Sequence, residues 1–216
     1  MSYLNWNTKT VSNPTLKEID ALYADGYVAT RIDTGIFNQT RSFRVPLTDF
    51  TPSSENRRVV RKLGEATLEA FTLPYEHYHW SIHKLAKDFY EKFGENVFSA
   101  NKVKELLTEK EKSNFNTLLV FKDSTGVPFG YCIGLKTETL FHYSYPFYKE
   151  DPANSSRGLG MMNKALLWAQ EQGLTYLYLG SLQRPSDVYK LQFEGQEWFD
   201  GTAWTTDITP LREILK

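Results

Sequence analysis

The order of secondary-structure elements from residue 67 onward constrains this chain of 216 residues more than any other feature. Residues 67–73 alternate as a strand until Pro74 ends it. A helix is expected over about 75–93, with Tyr78, Ile82, Leu85 and Phe89 on one face. Ser99 then caps a second helix carrying Val103, Leu106 and Leu107. Three strands follow near 116–121, 129–135 and 138–145, the first two joined by the turn Asp123-Ser124-Thr125-Gly126. Ser155 or Ser156 opens a helix that buries Leu159, Met162, Leu166 and Ala169 and stops at Gly173. An apolar strand at 175–179, a helix over about 185–193 and short strands near 196–199 and 202–205 complete the order β-α-α-β-β-β-α-β-α-β-β. Upstream, Leu16, Ile19, Leu22 and Tyr23 mark a helix that ends before Gly26. Extended pieces at 27–33 and 41–48 and a loop at 50–56 lead into Arg57-Arg58-Val59-Val60-Arg61-Lys62.

That order resembles the GNAT acyltransferase fold, an α/β class with a mixed sheet. It implies such a domain over residues 66–216, preceded by an N-terminal α/β extension over 1–65 that carries the basic segment. Composition agrees with a folded chain: 41% hydrophobic and 24% charged residues exclude disorder as the main state. No apolar run approaches the roughly 20 residues of a membrane helix, and the first residues lack a basic, apolar leader, so no membrane partner is expected. One cysteine, Cys132, excludes an intrachain disulfide and a cysteine-based metal site, and a cytoplasmic location is expected. The formal net charge of −1 hides an uneven distribution. Residues 41–62 hold six basic side chains against Asp49 and Glu55, whereas 194–216 hold five acidic ones against Arg212 and Lys216. A basic segment of this kind can track a nucleic-acid backbone through its phosphates, although on the residues alone an ordinary solvated helix start laced with ion pairs is the better explanation.

The sharpest local motif is Ser155-Ser156-Arg157-Gly158-Leu159-Gly160, which follows a strand and opens a helix. Backbone N–H groups and the helix dipole there suit an anion or a carbonyl oxygen. In the GNAT fold the corresponding loop holds the pyrophosphate of coenzyme A; here Ser155 stands where Arg or Gln is usual. The alternative is a tight loop whose glycines permit close packing. His77, His79 and His83 lie close in sequence, but no Cys or Glu completes a metal motif, so no metal is expected. His142, in the strand before the loop, is a candidate proton acceptor or a structural strand histidine.

A wider pattern is similar to the aminoacyl-tRNA–protein transferases, the arginyl- and leucyl-transferases. It comprises Asp151 before the Leu159-Gly160 helix start, Tyr176-Leu177-Tyr178-Leu179-Gly180, and Tyr189-Lys190 with Phe193. Upstream it adds Ser42-Phe43-Arg44-Val45-Pro46, Phe50-Thr51-Pro52-Ser53 and the Arg57-Arg58 segment. The likeness spans about residues 41–205. It implies transfer of an arginyl or leucyl group from aminoacyl-tRNA to a protein N-terminus, as in an N-degron pathway, with no cofactor beyond the donor and no DNA partner. By the same likeness, Tyr178, Gly180, Tyr189 and Lys190 are expected to be catalytic, and Asp151, Arg157, Gly158, Leu159 and Gly160 to bind the acyl donor. Arg57, Arg58, Arg61 and Lys62 are expected to hold tRNA. The chain departs from the family where a cysteine cluster normally precedes the Arg-Val strand: it has Ile36-Phe37-Asn38-Gln39-Thr40 instead. It departs again at Ser181-Leu182, where an aromatic pair is usual. Two alternatives stand: an acetyl-coenzyme A N-acetyltransferase on the same fold, and an inactive tRNA- or protein-binding module.

Overall fold

The computed structural model describes residues 4–94 and 97–216. Eleven strands and six α-helices form among them. Strand β1 (Asn7–Thr10), helix α1 (Leu16–Ala24), strands β2 (Tyr27–Ala29), β3 (Ile36–Gln39) and β4 (Ser42–Pro46) and helix α2 (Ser54–Arg61) come first. Then follow β5 (Thr67–Thr72), α3 (Trp80–Glu91), α4 (Ala100–Thr108), β6 (Thr117–Lys122), β7 (Pro128–Lys136), β8 (Leu140–Tyr148), α5 (Arg157–Glu171) and β9 (Tyr176–Ser181). A 3-10 helix over Pro185–Gln192 precedes β10 (Glu197–Phe199), β11 (Trp204–Thr205) and α6 (Thr209–Ile214). From β5 to β11 the order is the one expected from the sequence, on a mixed α/β architecture. The helix near 185–193 is a 3-10 helix, and β1, β3 and α6 are additions.

The main sheet has eight strands in the order β11-β10-β4-β9-β8-β7-β6-β5; a smaller antiparallel sheet runs β1-β3-β2. Strand β4, from the first 65 residues, therefore lies inside the main sheet, between β10 and β9. Among the described residues only β8 and β9 pair in parallel, with α5 as their crossover. Both faces of the sheet are covered, which is why β6 reads as a continuous apolar run rather than an alternation. Leu118 and Val120 enter a core shared with α1, α3, α4 and the small sheet, while Leu119 and Phe121 enter one shared with α5 and α6. Where the resemblance would place cysteines, β3 is the central strand of the small sheet, with Phe37 fully buried.

Helix α3 begins five residues later than the periodicity suggests. His79 is extended, at φ −134° and ψ 148°, and its side chain accepts from the Ser81 N–H as an N-cap. His79 and His83 therefore do not share a helical face: His83 Nδ1 pairs with the Tyr78 phenol instead. Among the described residues no cluster of three or more His, Cys, Asp or Glu could hold a metal ion, and no helix is long and apolar enough to cross a membrane.

Candidate active site at the fork of the parallel strands

Strands β8 and β9 pair only over Leu140↔Tyr176, Phe141↔Leu177 and His142↔Tyr178, and then separate. Each strand is irregular just past that point. On β8, Tyr143 pairs with Gly134 and Tyr145 with Ile133, so Ser144 is an extra residue. The bulge reverses the alternation: Leu140 enters the core beside α1, and beyond the bulge it is the odd-numbered Phe147 that does so. On β9, Gly180 takes φ +73°, a left-handed conformation that favours glycine, and the chain turns toward the 3-10 helix. Beyond His142, β8 has no strand partner on its β9 side among the described residues, which leaves backbone hydrogen-bonding groups at the mouth of a fork.

Side chains from several elements meet at the apex. His142 is 2% exposed and its Nδ1 lies 2.7 Å from the Tyr23 phenol oxygen, which also accepts from the Ala29 N–H at 3.1 Å. Burial, and then the nearby Lys190 charge, lower the His142 pKa to about 3, so the ring is neutral near pH 7. A conjugate acid that strong makes the ring a poor proton acceptor, and the candidate base role read from the sequence does not fit this environment. Lys190, 9% exposed, donates from Nζ to the Ser181 carbonyl at 2.9 Å and pairs with Asp187 at 3.3 Å. Burial pushes its pKa down, opposed by Asp187. The Asp187 carboxylate also accepts from the Gln183 and Arg184 N–H groups, tying the 3-10 helix to the end of β9. The structure thus brings Gly180 and Lys190 together with His142.

Tyr178 is placed differently from that trio. It is 1% exposed, accepts from Arg44 Nη1 at 3.1 Å and donates to the Tyr23 carbonyl at 3.3 Å. Arg44 in turn donates from Nε to Glu197 at 2.7 Å and lies between the Tyr176 and Trp204 rings. The Tyr178 hydroxyl is therefore absorbed in a buried network under α1. Tyr189 is 50% exposed, and partial burial of its hydroxyl and then the nearby Asp187 carboxylate push its pKa up to about 12. The Tyr143 hydroxyl is buried without a partner among the described residues. Neither Tyr143 nor Tyr23 was singled out as a site residue in the sequence. The five aromatic residues within 141–148 were the available signal.

The helix start beside the fork is filled by the protein's own groups. A Cβ on Gly158 would lie 2.5 Å from the Tyr148 hydroxyl, and one on Gly160 would meet Leu63 at 2.7 Å. Both glycines serve close packing. Arg157 pairs with Asp151 at 2.6 Å, donates to the Lys149 carbonyl at 2.8 Å and stacks on Phe129, while Leu159 is half-buried on the first turn of α5.

Helix α2 packs against α5, and Asn154 donates to the Lys62 carbonyl at 2.8 Å, so the basic segment adjoins this helix start. Arg58 is held by Glu55 at 2.5 Å and Arg57 donates to the Pro52 carbonyl. Arg61 and Lys62 are exposed and form no ion pair among the described residues.

No protein-family model and no curated protein matches the sequence. Solved structures overlap with it in part. They include L-PGS from Bacillus licheniformis, at 14% identity and a TM-score of 0.47, over 76% of this chain and 51% of that one. A GCN5-related glucosamine N-acetyltransferase region of a fungal multi-domain β-N-acetylglucosaminidase gives 11% and 0.49, over 88% and 23%. FemX gives 11% and 0.45, over 77% and 59%. The chain thus spans about half of L-PGS and less than two thirds of FemX.

Proposed function

We propose that the chain transfers an aminoacyl group from a charged tRNA to the α-amine of a protein or peptide N-terminus at the β8–β9 fork. The amine nitrogen attacks the ester carbonyl carbon and the C–O bond to the ribose breaks. The amine proton leaves to solvent or to the departing ribose oxygen, giving an amide and uncharged tRNA. The ester is already activated, and an α-amine with a reference pKa near 7.7–8.0 is partly neutral at pH 7. Strong nucleophilic catalysis is unnecessary. Holding the two reactants together is worth on the order of 7–11 kcal/mol, and donors aimed at the developing oxyanion add to it.

The observation that carries the donor assignment is the closed start of α5. Tyr148 fills the space over Gly158, Leu63 the space over Gly160, and Asp151 neutralises Arg157. A pyrophosphate would have to displace these groups, whereas the exposed Arg61 and Lys62 alongside offer contacts to an extended phosphate backbone. Residues Arg157 and Asp151 then shape the donor pocket as a fixed pair. The test is a transfer assay with a mixed pool of charged tRNAs and peptides beginning with Asp or Glu. Product that requires charged tRNA is expected. Product formed with acetyl-coenzyme A and with no charged tRNA would replace this reading with acetyl transfer, and tRNA binding without any product would replace it with a binding module.

A further inference from the structure

We propose that His142 is a catalytic hydrogen-bond donor, whose Nε2–H, held in that tautomer by Tyr23, binds the carbonyl oxygen of the acyl group and the oxyanion formed from it. The inference deepens the acyl-transfer reading above and rests on it. Three observations converge. The Tyr23 phenol oxygen accepts from the Ala29 N–H and lies 2.7 Å from His142 Nδ1, where its own proton can be donated to that nitrogen. With the phenol donating, Nδ1 is the acceptor of the ring and Nε2 carries its hydrogen. That hydrogen has no protein acceptor among the described residues, and Nε2 is not one of the buried polar atoms left without a partner, so the small exposed edge of the ring is the one a ligand can reach. Finally, Nε2 lies over Gly180: a Cβ there would sit 3.5 Å from it, so the glycine leaves that side of the ring uncovered at the apex of the fork.

A neutral imidazole suits this role better than a charged one. It donates without giving up its proton, so no acid has to be regenerated, and it needs no counter-ion in a buried setting. Lys190, paired with Asp187, donates to the Ser181 carbonyl and so fixes the backbone next to Gly180. The Nε2–H bond forms to the ester carbonyl in the ground state and strengthens as the oxygen becomes negative. When the tetrahedral centre collapses to the amide, the oxygen returns to a carbonyl and the histidine is unchanged.

Nitrogen-labelled imidazole NMR of the intact protein tests the tautomer without any turnover. His142 is expected to remain neutral with hydrogen on Nε2 between about pH 5 and 8. Hydrogen on Nδ1, or titration within that range, would overturn the proposal. The second arm adds puromycin, whose amide mimics an aminoacyl ester on a terminal adenosine, and acetyl-coenzyme A. A saturable shift of the Nε2–H signal with puromycin supports both the donor role and the tRNA reading. A shift with acetyl-coenzyme A alone keeps the histidine role and overturns the tRNA reading, and a shift with neither overturns the histidine role. In the transfer assay, His142→Phe is expected to lower kcat about 10²–10³-fold with KM little changed. His142→Gln retains an N–H donor and is expected to recover most of that loss. Equal loss in both variants, with native folding, would count against donation.

Discussion

Burying a neutral histidine under Tyr23 links the chemistry of the fork to the stability of the fold. The His142 pKa of about 3 lies below its ordinary 6.5 because of burial and then Lys190. Below about pH 6.5 the unfolded chain binds a proton that the folded chain refuses. The resulting stability is fully present above pH 6.5 and is lost as pH falls toward 3, with a slope approaching ~1.4 kcal/mol per pH unit. Urea unfolding at a series of pH values should show this slope in the wild type and lose it in His142→Gln; equal slopes would contradict it. Tyr178 offers the opposite case. Its hydroxyl bridges Arg44 and the Tyr23 carbonyl, so Tyr178→Phe leaves an Arg44 N–H without that acceptor. A stability loss of about 1–3 kcal/mol is expected, with kcat little altered under conditions where the variant is folded. A large fall in kcat with unchanged stability would return Tyr178 to the chemistry. Residues two apart share a face of a strand, yet Tyr178 is drawn into the network with Arg44 and Tyr23 while Gly180 turns beside His142. That Tyr23 would cover Tyr178 and cap His142 depends on contacts across more than 100 positions, which no local pattern records.

At the scale of elements, the fork exists because two strands depart from regularity at neighbouring points. Gly180 could be read from the chain as a break in an apolar run, but the Ser144 bulge could not, because it arises from the register between β7 and β8. The first turn of α5 was read as a candidate phosphate cradle, yet its glycines admit Tyr148 and Leu63. Gly158→Ala should force the Tyr148 hydroxyl to move and cost about 1–3 kcal/mol, a loss that Tyr148→Phe in the same chain should relieve in part. If Gly158→Ala leaves stability intact but abolishes binding of a coenzyme, the packing role is wrong. At the end of α2, Arg61→Glu and, at its C-cap, Lys62→Glu should each weaken tRNA binding. Each should lower the slope of log K against log salt by about one if that side chain contacts a phosphate. Arg58→Ala, already neutralised by Glu55, should do less. Filter binding at several salt concentrations distinguishes these, and unchanged slopes in both reversals would remove α2 from the interface.

For the whole molecule, the order of elements from β5 to β11 was legible because each carries its own periodicity and its own stop signal, such as Pro74 or Gly173. Where β4 would insert was not, since a strand's partners depend on chain closure rather than on its own residues. Its place between β9 and β10 joins the N-terminal residues to the strand that forms one arm of the fork. Removing residues 1–65 should therefore expose β9 and abolish cooperative unfolding, and a truncated chain that still melts cooperatively would contradict that dependence. The most direct test of the central claim uses the full chain, a complete set of charged tRNAs and an N-terminal peptide amine, with the amide product followed by mass spectrometry. Aminoacyl peptide that forms only with charged tRNA, and falls about 10²–10³-fold in the His142→Phe protein, is the expected result. The contradicting result is no aminoacyl peptide from any charged tRNA, with an acylated amine formed from acetyl-coenzyme A instead.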